Sequence, residues 1–169
     1  MNELAMSIKA PKLRGEWVEL RFMAAAAEND LHVTKPWGDS AQYNFIVEHQ
    51  SRFLRLQVKS TKYKCKGCYP CAVHGSQGPY LENAFEFLAV YVIPEDLWYI
   101  IPAHVFRGQA SVCLSPTRED SKYAKYLGAW ELLKLTLLKP DQMKPDQLKK
   151  ETEDVSDHAP EATSVIAEH

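Results

Sequence analysis

The stretch Leu54-Arg55-Leu56-Gln57-Val58-Lys59 alternates apolar and polar residues at every step. A period of two fits an extended strand with one face against a core and one face turned away from it. A second β-type run, residues 43–48, precedes it, and the spacer His49-Gln50-Ser51 has the length of a hairpin connection. The chain must therefore build on a sheet. A hairpin at this spacing also brings Asn44, near the start of the first run, close to Gln57 on the second.

The remaining segments surround that hairpin. Residues 14–29 are rich in Ala, Leu, Glu, Arg and Met without an internal proline, and they predict a helix. A short strand at 31–34 and a loop at 35–42 follow. Residues 61–79 form a turn-rich insertion with three cysteines. Residues 85–92 and 97–101 predict a second hairpin around Pro94-Glu95-Asp96, and 110–114 a further strand. Tyr123, Tyr126, Leu127, Trp130, Leu133 and Leu137 recur at helical spacing, which predicts a closing helix over 121–138. The expected fold class is α/β (α+β), a central mixed β-sheet flanked by helices. An N-terminal arm (1–13) precedes this domain (14–138), and a polar, acidic tail (139–169) expected to be disordered follows it.

Composition sets outer limits. With 46% hydrophobic and 25% charged residues, the 169-residue chain has the make-up of one globular domain. No apolar run approaches the ~18 residues of a membrane span, and the first residues lack a secretory leader pattern, so a cytoplasmic location is expected. Residues 139–169 hold four lysines against eight acids, whereas residues 1–138 hold 16 basic against 14 acidic side chains. A body so near neutrality does not by its net charge announce a nucleic-acid binder, and recognition must come from local patches. The four cysteines are expected to be free thiols in that compartment, with Cys113 a small buried hydrophobe.

Two conflicts point to chemistry. On the first helix Val18, Leu20, Phe22, Met23, Ala26 and Ala27 form one apolar arc at ~100° per residue, and Glu19 projects into it. A carboxylate so placed needs a partner: an Arg or Lys at the core edge, or a metal. The polar face Arg55, Gln57, Lys59 is most simply a solvated sheet face. Yet an amide beside an ammonium, facing a helix carboxylate, could also place a hard cation next to a phosphate and stabilise the charge that develops when water attacks it. Elsewhere, Cys65, Cys68, Cys71 and His74 offer the ligand number of a zinc site, in a spacing that favours free thiols instead. Lys62, Lys64 and Lys66, interleaved with Tyr63 and Tyr69, could follow a phosphate backbone or simply be solvated. Trp37, beside Gly38 in the loop over the candidate site, could touch a substrate.

The segments Gly15-Glu16-Trp17-Val18-Glu19, Lys35-Pro36-Trp37-Gly38-Asp39, Tyr43-Asn44-Phe45 and Leu56-Gln57-Val58-Lys59-Ser60, in that order, resemble the PD-(D/E)xK nuclease superfamily. Within it they are similar to the small bacterial branch typified by group I intron homing endonucleases, which uses Gln where most relatives have Asp or Glu. The resemblance implies a restriction-endonuclease-like core and a metal-dependent DNA endonuclease hydrolysing phosphodiester bonds. It implies catalytic Glu19, Gln57 and Lys59, with Mg²⁺ or Mn²⁺ held by Glu19, Asn44 and Gln57. Double-stranded DNA is the implied partner, contacted by Lys62, Lys64, Lys66 and Trp37. A homodimer or higher homo-oligomer is implied too, for which the aromatic residues of the second hairpin offer a contact.

Asn44 departs from the pattern. It falls where the family has its metal-binding aspartate, and Asp39 and Glu48 are the nearby carboxylates that could replace it. The alternative to the enzyme is therefore a catalytically degenerate nuclease-like module that binds DNA or protein.

Overall fold

The computed structural model describes residues 6–38, 40–75 and 78–134. Its long helix, α1, spans Pro11–Glu28. Pro11 sits in the first turn, where its missing N–H costs nothing. At the other end the Asn29 side chain donates to the Ala25 carbonyl at 2.8 Å.

Five strands follow in one mixed sheet: β1 (His32–Thr34), β2 (Phe45–His49), β3 (Arg52–Thr61), β7 (Phe87–Val92) and β8 (Leu97–Pro102), in the spatial order β1-β2-β3-β7-β8. The β2–β3 hairpin pairs Phe45 with Leu56 and His49 with Arg52. Its turn is Gln50-Ser51, both at positive φ (48° and 65°), the primed geometry that suits strand twist. β3 and β7 are parallel, and the connection between them carries β4 (Tyr69–Ala72), β5 (His74–Gly75) and β6 (Gly78–Pro79). β4 pairs with β9 (Ser111–Leu114) in a separate two-stranded sheet.

One face of the five-stranded sheet is buried under α1, and the other is buried over β7 and β8. On one, Val18, Phe22 and Ala26 of α1 pack over Phe45, Val47, Leu54, Leu56, Val58, Tyr91 and Ile100. On the other, Tyr69, Cys71 and Val112 of the small sheet cover Leu88, Val90, Val92, Tyr99 and Ile101. The second covering layer is thus largely β-structure and loops, where helices were expected. β7 faces both layers and accordingly reads Phe-Leu-Ala-Val-Tyr-Val, without a polar side except at its tyrosine.

Several expectations fail for identifiable reasons. The closing helix does not form over its described part. Residues 124–126 and 130–133 are short 3₁₀ turns separated by Gly128 at φ +62°. Tyr123 and Tyr126 belong to one face of the sheet, whereas Trp130 and Leu133 belong to the other. One helix has one stripe, so a segment that feeds both layers must bend around the sheet edge. Leu137 and the acidic tail lie outside the described residues.

The arc on α1 is also rotated from its expected position: Leu20 is 65% exposed and Met23 41%. The aromatic residues of the second hairpin offer no contact to a second copy, because Trp98 and Tyr99 are buried. Cys68 and Cys113 are joined in a disulfide with 5.7 Å between their Cα atoms, so neither is a free thiol, and Cys113 is exposed on β9.

Candidate active-site cleft

Register pairing of β2 with β3 starts at Phe45–Leu56, so β3 runs on past its neighbour. Beyond that point the Asn44 side chain takes over the acceptor role of a strand: its Oδ1 accepts the Val58 N–H at 2.8 Å. Since an amide N–H needs an oxygen, this bond fixes the orientation of the Asn44 side chain. Its Nδ2 therefore turns towards α1 and donates to Glu19 Oε1 at 2.9 Å. The second carboxylate oxygen, Oε2, accepts from Lys35 Nζ at 2.7 Å. Glu19 is 20% exposed and Lys35 57%, so the pair spans the edge of the core. The need for a cation beside Glu19 is met by a lysine of the loop after β1.

Because β2 stops here, side chains from both faces of β3 reach one notch. A cleft of about 290 Å³ is lined by Pro11, Arg14, Gly15, Val18 and Glu19 from α1, Asn44 from the loop, and Gln57, Val58, Lys59 and Ser60 from β3. The four residues Glu19, Asn44, Gln57 and Lys59, expected to meet, thus share one cavity. Lys59 Nζ donates to the His74 carbonyl at 3.1 Å and lies 5.5 Å from the centre of the Tyr80 ring. The charged residues lining the cleft are Arg14, Glu19 and Lys59. Glu19 is already neutralised by Lys35, so the cavity is electropositive. Its charge suits a phosphate better than a bare cation.

The donor set does not fit a divalent ion as arranged. Mg²⁺ and Mn²⁺ are hard cations that need charged oxygens. Here the one carboxylate has both oxygens engaged and the Asn44 oxygen is spent on backbone, which leaves the Gln57 amide. No three His, Cys, Asp or Glu side chains converge on a point among the described residues. Glu48 does not stand in for the missing aspartate: it pairs with Phe53 towards the far end of β2 and does not line the cleft. Asp39 lies outside the described residues.

The zinc quartet is not assembled either. Cys68 is consumed by the disulfide, Cys65 is exposed, and Cys71 is buried on β4. Burial pushes the Cys71 thiol up to about 12, against the opposing pull of the Lys59 charge, so it does not offer a thiolate. The imidazole of His74 is engaged locally, its Nδ1 3.0 Å from the Gly75 carbonyl.

The basic residues after β3 stand outside the cleft. Lys62 lies over Tyr63 at 4.9 Å and Lys64 over Tyr69 at 5.5 Å, while Lys66 occupies the turn closed by backbone pairing of Cys65 with Cys68. Trp37 is fully exposed. On the same face of β3 as Lys59, Arg55 is held by Glu86: its backbone N–H donates to Oε2 at 2.7 Å and its guanidinium grips both oxygens. Burial would raise the Glu86 carboxyl, yet the bonds from Arg55 hold it below the usual range. Arg14 and Lys35 were missed as members of the site. The half-buried Glu19 signals that a cation must be near, but nothing in the spacing says which one.

The fold has known counterparts. A bacterial homing endonuclease, I-Ssp6803I, superposes with a TM-score of 0.64 at 26% identity, over 73% of this chain and 93% of that one. The Holliday junction resolvase Hjc of Archaeoglobus fulgidus has the same fold, with a TM-score of 0.51 at 14% identity, over 73% of this chain and 99% of that one. No curated protein matches at the level of sequence. The family described as PD-(D/E)XK endonuclease matches residues 9–133, from the approach to α1 to the last described 3₁₀ turn. With nearly the whole described body matched and the Glu19, Asn44, Gln57 and Lys59 positions gathered in one cleft, this chain belongs to the PD-(D/E)XK endonuclease family.

Proposed function

We propose that this protein binds duplex DNA at the notch beyond β2, and that its phosphodiester hydrolysis is impaired by Asn44. The observation that supports this reading is the double engagement of Asn44. Its amide bridges Val58 and Glu19, so neither the Asn44 oxygen nor Glu19 Oε1 is left for a cation. Endonucleases of this family generally use divalent ions such as Mg²⁺, which lower the barrier to attack by water on phosphorus. In this chain a neutral NH₂ and the Lys35 ammonium take up the Glu19 charge instead.

The residues then divide the work of binding. Lys59, with donors to spare, and Arg14 meet a phosphate in the cleft. Lys62, Lys64 and Lys66 continue the contact along the backbone, and Trp37 offers an exposed ring to the sugar or base. Gln57 supplies an amide to the same phosphate. A duplex has two strands, so two-fold association is part of the reading.

Labelled duplex binding and plasmid nicking, each with Mg²⁺, Mn²⁺ or EDTA, test it together. The wild-type chain binds duplex without a metal, Lys59→Ala weakens binding, and Asn44→Asp raises the Mg²⁺-dependent nicking rate at least roughly tenfold. Wild-type nicking that Asn44→Asp leaves unchanged overturns the impairment. Duplex binding indifferent to Lys59→Ala overturns the assignment of the cleft.

A further inference from the structure

Beside the cleft lies a second, larger cavity of about 410 Å³. Its walls come from the β5–β6 hairpin with the residues that follow it, and from the turns after β8. The two cavities share a boundary. Lys59 lines the cleft, yet its Nζ donates to the His74 carbonyl and lies 5.5 Å from the centre of the Tyr80 ring. Both of those residues line the larger cavity. A group held by Lys59 in the cleft is therefore one side chain away from the second space.

The lining says what shape of ligand fits. Three aromatic rings form an apolar wall. Phe85 and Phe106 stack with 28° between their planes and 6.4 Å between centroids, and Tyr80 meets Phe85 edge-on at 4.9 Å. Phe85 and Phe106 are buried in the core, so this wall stands before any ligand arrives. A few polar groups stand around the rings. Gln109 accepts from the Tyr123 hydroxyl at 2.9 Å and donates to the Val105 carbonyl at 3.3 Å, which among the described residues leaves one amide N–H. His74 Nδ1 donates to the Gly75 carbonyl, so Nε2 of the neutral ring is an acceptor. Arg107 and Glu82 pair at 2.9 Å and cancel each other's charge. A long apolar chain leaves these polar groups unanswered, and a bare phosphate meets rings in place of charge. A flat ring with a polar edge answers both parts of the lining, and the volume lies within the about 300–1,000 Å³ of ligand pockets. A nucleobase is such a ring, and Lys59 holds its phosphate next door.

A paired base does not reach this space. In a duplex the base attached to that phosphate is turned into the stack, and extruding it costs both stacking and pairing. An unpaired nucleotide has no pair to lose, and contact with aromatic side chains replaces the stacking it gives up.

We propose that this cavity receives an unpaired nucleobase of DNA whose phosphate Lys59 holds in the cleft, so that the preferred ligand is a duplex carrying an unpaired nucleotide. The inference rests on the cleft being a DNA site and names which DNA it selects. Tyr80 serves both spaces, since its ring meets the Lys59 ammonium and lines the cavity.

The experiment compares the affinity of the full chain, in EDTA, for three labelled DNAs: a fully paired duplex, the same duplex with one extra unpaired thymidine, and the same with an abasic residue in place of that thymidine. The unpaired thymidine should tighten binding at least about tenfold over the paired duplex. The abasic residue interrupts the helix in the same place but carries no base, and it should bring the affinity back to that of the paired duplex. Ala110 is exposed and lines the cavity, so Ala110→Trp fills it with an indole and should abolish the preference for the unpaired thymidine. A 5-iodouracil at the unpaired position should crosslink on irradiation to Tyr80, Phe85 or Phe106. Equal affinity for the thymidine and abasic DNAs overturns the proposal, as does a crosslink that maps only outside those three residues. If paired and unpaired DNAs bind alike and Lys59→Ala weakens both, the cleft remains a DNA site and the base pocket falls. If none of the three DNAs binds, both readings fall.

Discussion

Replacing Asn44 by aspartate tests the logic of the cleft through stability, without any need for cleavage. The substitution keeps the Oδ1 acceptor for the Val58 N–H but removes the donor to Glu19. A hydrogen bond to a charged group contributes about 1.5–3 kcal/mol. In its place two carboxylates face each other across a bonding distance, with a repulsion of about 4 kcal/mol at an effective dielectric near 20, most of it offset by Lys35. The net cost at neutral pH in EDTA is about 3 kcal/mol, or about 10 °C in thermal midpoint for a body of this size. The repulsion raises one carboxyl in the folded state above its unfolded value. The penalty is therefore small below the usual carboxylate range and grows as pH rises through it. A divalent ion that binds only the folded variant at a hundred times its dissociation constant returns about 2.7 kcal/mol. Thermal melts in EDTA and in Mg²⁺ or Mn²⁺ read both quantities. Asn44→Asp should lose stability in EDTA and regain most of it with metal, whereas the wild type should be indifferent. A wild type stabilised by Mg²⁺ as much as the variant refutes the claim that the native donor set is complete without a cation.

Further outcomes follow from other parts of the molecule. Cys68→Ser, or reduction, opens a disulfide that spans 45 residues and should cost about 4 kcal/mol by loop entropy, read in urea melts. A thiol-reactive dye should modify Cys65 at once in the folded chain and reach Cys71 only on unfolding; two fast thiols would contradict the burial on β4. The Tyr69 hydroxyl donates to Glu95 at 2.6 Å, and that bond, reinforced by burial, pushes its pKa up to about 12. The stability it confers is complete below pH 10 and declines as pH rises towards 12, a loss that Tyr69→Phe should abolish in alkaline denaturation curves. Changing Lys62, Lys64 and Lys66 together to Ala should weaken duplex binding uniformly across sequences and flatten its salt dependence by about one unit of slope for each phosphate left without its lysine.

The legible parts of this fold are those in which one residue type has one use. Alternation along β3 assigned Arg55, Gln57 and Lys59 to one face, and the hairpin spacing put Asn44 beside Gln57. Glu19 stood out because a carboxylate next to an apolar arc must find a partner. The identity of that partner was not legible, since Lys35 arrives through a loop whose path depends on the whole sheet. Helical spacing at Tyr123, Tyr126, Trp130 and Leu133 misled because a chain bending round a sheet edge delivers the same periodicity to two faces, and Gly128 was the overlooked sign. The Cys-x-x-Cys rhythm of the insertion pointed to local chemistry, whereas Cys68 finds Cys113 across a tertiary contact that no spacing encodes. On α1 the exposed Leu20 and Met23 merged with the core-facing Val18, Phe22 and Ala26 into one arc in the sequence.

The margins of the main sheet bear on how this protein keeps company. One outermost strand, β1, is three residues long. The other, β8, has its outer rim taken up by Leu127 and Gly128, through a bridge to Tyr99 and a hydrogen bond to the Trp98 carbonyl. Neither rim presents a long row of vacant backbone groups on which a foreign strand could template itself. Such short or occupied rims disfavour edge-to-edge stacking of the main sheet.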